Sequence, residues 1–188
     1  MMRFARRPGL GISILAVALT LGTRCHAAPQ PAEPADRFVD SLGVNVHLHY
    51  TDTIYWDFPK LKAALKDLGI RHLRDGLVYN GRKEFYERHK ELAAAGIRTT
   101  FIVSGDLGRL AEHVTRLGPA VEAIEGPNEV DLNHWKPADA RAYQKRLWET
   151  VKQNSDLRPL PVVGLSCCNL KFSPIGQAVP ETIGPCPC

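Results

Sequence analysis

The sequence predicts an α/β fold in which parallel strands alternate with crossover helices, and three observations carry that prediction. Strand-like runs begin near residues 44, 70, 97, 121 and 161, and a helical pattern follows each of the first four. The first four starts lie about 25–30 residues apart, the length that a parallel strand and its return helix need. The joints Leu68-Gly69-Ile70-Arg71 and Ala95-Gly96-Ile97-Arg98 are nearly identical, as when one helix-to-strand turn is used twice. Four βα units and a fifth strand amount to an incomplete TIM (β/α)8 barrel, because a complete one takes about 250 residues.

Each element has its own signal. Residues 43–49, GVNVHLH, alternate and read as the first strand. Asp57 is placed to cap a helix over residues 58–68, in which Phe58, Leu61, Leu65 and Leu68 share a face and Pro59 is tolerated in the first turn. Residues 70–77 read as the second strand. Residues 83–95 form a second helix with Phe85, His89, Leu92 and Ala93 inward and Gly96 as its stop. Residues 97–103, IRTTFIV, are the most β-prone run of the chain. Asp106 is placed to cap a third helix, which Gly118 and Pro119 end. Residues 121–125 are the fourth strand. Pro137 opens a fourth helix with Ala140, Tyr143, Leu147 and Val151 along its buried stripe, and residues 161–166 are the fifth strand.

The ends differ from this body, which spans residues 38–166. Arg3, Arg6 and Arg7 precede an uncharged apolar run from Leu10 to Leu21, too short for a comfortable membrane span, with a small-residue exit at Ala27-Ala28. Residues 1–27 therefore read as a secretory signal, which predicts a secreted or periplasmic protein with no stable membrane anchor after cleavage. Residues 28–37 are a Pro-rich linker. Residues 167–188 lose all periodicity and hold Cys167, Cys168, Cys186 and Cys188, either as a short cysteine tail or as a frame-shifted end. The body has no cysteine, so its core is not a disulfide scaffold, and the tail lacks common zinc-site spacings. Four of the 24 basic residues and none of the 20 acidic ones lie in residues 1–27, so the remainder balances at 20 of each. That balance argues against a nucleic-acid partner.

The chemistry gathers after the fourth strand. Gly126-Pro127 breaks the chain and presents Asn128-Glu129 at the strand's C-terminal end, where α/β barrels carry their active sites. A partly desolvated carboxylic acid there serves as a general acid, whereas a solvated loop carboxylate is the plain alternative. Tyr50, Tyr55 and Trp56 follow the first strand, and Trp135 lies beyond Glu129. Aromatics at a barrel mouth stack on sugar faces; Trp135 alternatively staples the start of the fourth helix. His47 and His49 share one strand face. His72 reads as packed on the sheet, and His89 and His113 as surface or boundary residues. There is no Walker loop, dinucleotide glycine signature or nucleophile elbow, and neither a cofactor nor a metal is expected.

Gly126-Pro127-Asn128-Glu129 and the second-strand run Ile70-Arg71-His72-Leu73-Arg74-Asp75 resemble the clan A glycoside hydrolases, the (β/α)8 "4/7" superfamily of cellulases, β-xylosidases and α-L-iduronidases. The resemblance covers roughly residues 42–166. It implies a retaining glycoside hydrolase with Glu129 as catalytic acid/base. Asn128 and Arg74 hold substrate and partner carboxylate, His49 and Trp135 contact the sugar, and the partner is an oligo- or polysaccharide. The family's nucleophile, a glutamate ending strand seven, has no counterpart here. Glu181 lies in the tail with no strand to place it, and retaining hydrolysis needs two carboxyl groups about 5–5.5 Å apart. The resemblance thus implies a truncated glycosidase, inactive alone. Two rivals stand beside it. His47-x-His49 resembles the metal pair of amidohydrolases, implying a metal-activated water. The other rival is a non-enzymatic barrel fragment that binds carbohydrate.

Overall fold

The structure, a computed structural model, describes residue 32, residues 34–79 and residues 81–168. The expected signal over residues 1–27, most of the linker's first half, Glu181, and Cys186 and Cys188 of the tail lie outside the described residues.

Five parallel strands, β1 (Gly43–Asn45), β2 (His72–Gly76), β3 (Arg98–Ile102), β4 (Val121–Glu125) and β5 (Val162–Val163), form one sheet in sequential order. Helices α2 (Phe58–Asp67), α3 (Lys83–Ala94), α4 (Leu110–Leu117) and α5 (Pro137–Gln153) make the four crossovers. This is the predicted α/β repeat, a partial TIM-barrel-like sheet of four βα units and a fifth strand. One apolar cluster joins helices and sheet. Phe85 and Leu92 of α3, Leu110 and Leu117 of α4, and Leu147 of α5 close over Leu73, Phe101 and Ile124 of the strands.

The repeated joint has a physical cause. After α2, Ile70 N donates to Leu65 O at 3.0 Å and Gly69 N to Lys66 O at 3.1 Å. After α3, Ile97 N donates to Leu92 O and Gly96 N to Ala93 O, both at 2.9 Å. Each is a Schellman closure, which needs left-handed backbone at one residue; Gly69 (φ 68°) and Gly96 (φ 84°) supply it. The caps also match expectation: Asp57 accepts from Lys60 N, and Asp106 from Gly108 N, though the latter opens a 3-10 turn before α4.

Three expectations change. The linker assigned to residues 28–37 is entered by a helix, α1 (Ala35–Asp40), which Arg71 ties to the sheet through Asp36 and Asp40. The first strand ends at Asn45 rather than residue 49, because the Leu48 amide leaves the ladder and donates to the Asp75 carboxylate at 3.0 Å. His113 is buried rather than at the surface or boundary, and His89 is buried as its place on the inward face of its helix implied, because each has polar partners inside. His89 lies between Thr99 Oγ1 (3.1 Å) and Asp75 Oδ2 (3.2 Å), and His113 Nδ1 meets the Tyr86 hydroxyl at 2.7 Å.

At the N-terminal ends of the strands, His72 sits 2.7 Å from Glu122 and 3.3 Å from Asp40. Burial works to lower its pKa, but these two carboxylates outweigh it and the net shift is upward. A raised histidine stabilises the fold fully below its unfolded value of about 6.5, and the contribution is lost as pH rises through the folded value. The melting-temperature gap between the native chain and His72→Gln is therefore expected to be roughly 1–3 °C at pH 6 and smaller at pH 8.5. A gap that is equal or larger at pH 8.5 contradicts the assignment.

Candidate functional site

Because all strands are parallel, their C-terminal ends meet on one side of the sheet. A cavity of about 330 Å³ opens there, and the first, second and fourth strands each bring polar groups to it. Asn45 and His47 come from β1 and its exit, Arg74 and Asp75 from β2, and Asn128 and Glu129 from the turn after β4. A hollow of about 440 Å³ elsewhere is walled by the surface of α5 and residues 105–107, without this convergence of strand ends.

Arg74 is the hub. It donates Nε to Glu125 Oε2 at 2.7 Å and Nη2 to Glu125 Oε1 at 2.5 Å, a forked pair with a buried carboxylate. Its Nη2 also reaches Asn128 Oδ1 at 2.7 Å. Hydrogen bonding to Glu125 holds the guanidinium pKa above its ordinary value, against the opposing effect of burial. Ser166, just past β5, donates to Asn128 Oδ1 at 2.7 Å and accepts from Glu129 N at 3.2 Å. This mesh fixes the turn after β4.

Glu129 takes φ 49°, in the left-handed region that a side chain disfavours by about 1–2 kcal/mol. Asn133 holds it there: its side-chain amide donates to Asn128 O at 3.2 Å and to Glu129 O at 3.1 Å. Backbone strain retained by such surroundings concentrates at functional sites. Hydrogen bonding to the Glu129 carboxylate holds the Cys168 thiol above its ordinary pKa.

Under the other rim lies a second polar chain. Asp75, 1 % exposed, accepts from Leu48 N (3.0 Å), His89 Nε2 (3.2 Å) and Gly76 N (2.7 Å). His49 Nδ1 stands 3.8 Å from Asp75 Oδ1, too far for a hydrogen bond. Burial pushes the His49 pKa down, although the Asp75 charge pulls the other way. Above it, the His47 ring stacks on Tyr50 at 4.6 Å.

Of the residues singled out in the sequence, Glu129, Asn128 and Arg74 come together at the cavity. His49 faces an adjoining hollow with Trp56 and Phe85. Trp135 packs edge-on against Tyr143 at 5.5 Å, stapling α5 rather than lining the cavity. Sequence reasoning missed Glu125, Asp75 and Ser166. Asp75 follows Arg74 directly near the end of β2, and Glu125 ends β4 two register positions beyond Arg74, so that all three lie toward the C-terminal ends of their strands; that placement was the available signal.

No protein-family model matches the chain, and no curated protein does. Among solved structures it is similar to a member of the enolase superfamily from Listeria innocua, at 15 % identity and a TM-score of 0.38. The match covers 75 % of this chain and 41 % of that protein, so the chain spans less than half of its length. A likeness of that size carries no argument about activity. None of these findings is a clan A glycoside hydrolase, and the solved structure named above belongs to a different superfamily. The glycosidase assignment is corrected accordingly, together with the role it gave Arg74. That arginine does not await a nucleophile from a later strand, because Glu125 of β4 already occupies its fork.

Proposed function

We propose that the cavity at the strand ends binds a small, neutral, hydroxyl-rich molecule, with carbohydrates as the first class to test. The observation behind this reading is the convergence of Asn45, Arg74, Asn128 and Glu129 from three strand ends on one cavity. A few converging polar groups in a concave site are what orient a small ligand. Charge favours a neutral one. The arginine of the lining is already paired with Glu125, and an anion would also meet Glu129 and Asp75. A hydroxyl group instead donates to Glu129 and accepts from a side-chain amide. The stacked His47 and Tyr50 rings supply an apolar face at the rim. An exported chain, as the N-terminal pattern predicts, would meet such molecules outside the cytoplasm.

Amide chemical-shift mapping with xylose, glucose and myo-inositol tests the reading. Shifts are expected at Asn45, Gly76, Asn128 and Glu129. Glu129→Gly is expected to weaken binding at least about tenfold and yet to stabilise the fold by roughly 0.5–1 kcal/mol, since glycine relieves the left-handed strain. Shifts confined to other surfaces, or undiminished by Glu129→Gly, remove the cavity as the binding site.

A further inference from the structure

We propose that His47, His49 and Asp75 form a binding site for a divalent metal ion, Zn²⁺ before others, in the wall of the cavity. One ligand atom from each of these three residues lies within 4.8 Å of the others. They come from two adjacent strand exits, so the sheet itself sets their spacing. Histidine nitrogens with a single carboxylate are a donor set for borderline ions such as Zn²⁺, whereas Mg²⁺ and Ca²⁺ select oxygen ligands.

Three further observations point to an ion. His49 Nδ1 is buried and has no hydrogen-bond partner, which it shares among the described residues with Tyr79, His113 and Gln144, but it alone of these stands beside a carboxylate and a second histidine that could share an ion. Its 3.8 Å separation from Asp75 Oδ1 is too long for a direct bond. It is short enough for both to reach one ion, since two ligands about 2.1 Å from a metal lie at most about 4.2 Å apart. Asp75 is also held from behind. Its Oδ2 accepts from His89 Nε2 and Leu48 N, and the other His89 nitrogen meets Thr99 Oγ1. Outer partners of this kind orient a metal-binding carboxylate. The remaining adjustment falls on His47, which is half-buried at the rim and whose ring would turn inward to bring the ligand atoms, now within 4.8 Å of one another, onto one ion. Three protein ligands leave a fourth position open, and His47 and Asp75 both border the cavity toward which it would face. The sequence alone showed the histidine pair without its carboxylate, because Asp75 is 26 residues beyond His49 and meets it only through strand pairing.

The test is a Zn²⁺ titration by calorimetry of the whole, untagged chain, with all five cysteines replaced by serine so that thiolates do not compete. No sugar is present, so the result is independent of the ligand reading above, and either can fail alone. One equivalent of Zn²⁺ is expected, with His47→Gln and His49→Gln each lowering affinity at least about tenfold. Imidazole nitrogen shifts of His47 and His49 on titration identify the ligands even if one variant folds poorly. Absence of a stoichiometric site overturns the proposal, as does a site whose affinity and imidazole shifts leave both histidines untouched.

Discussion

Replacing Gly126 by alanine is expected to destabilise the fold by about 3 kcal/mol, at the upper end of what overpacking costs. Gly126 follows β4 directly and lies under α5. A methyl group there would sit 1.7 Å from Gln144 Oε1 and 2.9 Å from Leu165 N. Gln144 is 1 % exposed, and its amide donates to Val163 O at 3.1 Å, tying α5 to β5. Gly126 N donates to the same Val163 oxygen at 3.1 Å. The clash therefore forces either the glutamine out of its bond or the β4 exit away from β5. Pro127, Asn128 and Glu129 move with that exit, so ligand binding should fall as well. A melting-temperature loss of roughly 6–12 °C is the expected reading for a domain of this size. The double variant Gly126→Ala with Gln144→Ser removes the nearest clash and should recover part of the loss. A single variant that melts within about 2 °C of the native chain shows that the glutamine yields without cost.

The fold was legible because its signals are local. Leucine and phenylalanine at helical spacing, the capping Asp57, and two glycine stops each report on a few neighbouring residues. The span of β4 was read to the residue, since Gly118-Pro119 and Gly126-Pro127 bracket it. The site was legible only in part, because its partnerships cross the sheet. Arg74 and Glu125 are 51 residues apart, and their pairing follows from strand register, which no local pattern records. Lacking that register, a family resemblance assigned Arg74 a partner outside the chain. The helical spacing placed His89 inward while its polarity argued for a boundary position, and the burial won because Asp75 and Thr99, which make an interior position tolerable, belong to two other elements. Trp135 shows a different limit. An aromatic residue near a strand end serves packing and ligand contact equally well in sequence, and only its edge-on contact with Tyr143 separates the two.

The same pairing makes Arg74→Met the most informative substitution in the site. Methionine keeps much of the stem but leaves the Glu125 carboxylate, 6 % exposed, without its counter-ion. Breaking a buried pair from one side costs about 3–5 kcal/mol; the low end applies here because Arg74 retains 28 % exposure and water can reach the gap. Asn128 loses its 2.7 Å contact in the same step and keeps only the Ser166 hydroxyl, so the turn carrying Glu129 loosens. Removing both charges, as Arg74→Met with Glu125→Leu, is expected to recover most of the stability, since a packed apolar pair has no desolvation to offset. It should not recover ligand binding, because Asn128 is still held by the Ser166 hydroxyl alone. Denaturant unfolding measures the first outcome and shift mapping with xylose the second. If the single and double variants are equally unstable, the cost lies in lost packing of the arginine stem rather than in an uncompensated charge. If the double variant binds like the native chain, the Arg74–Asn128 contact does not shape the cavity.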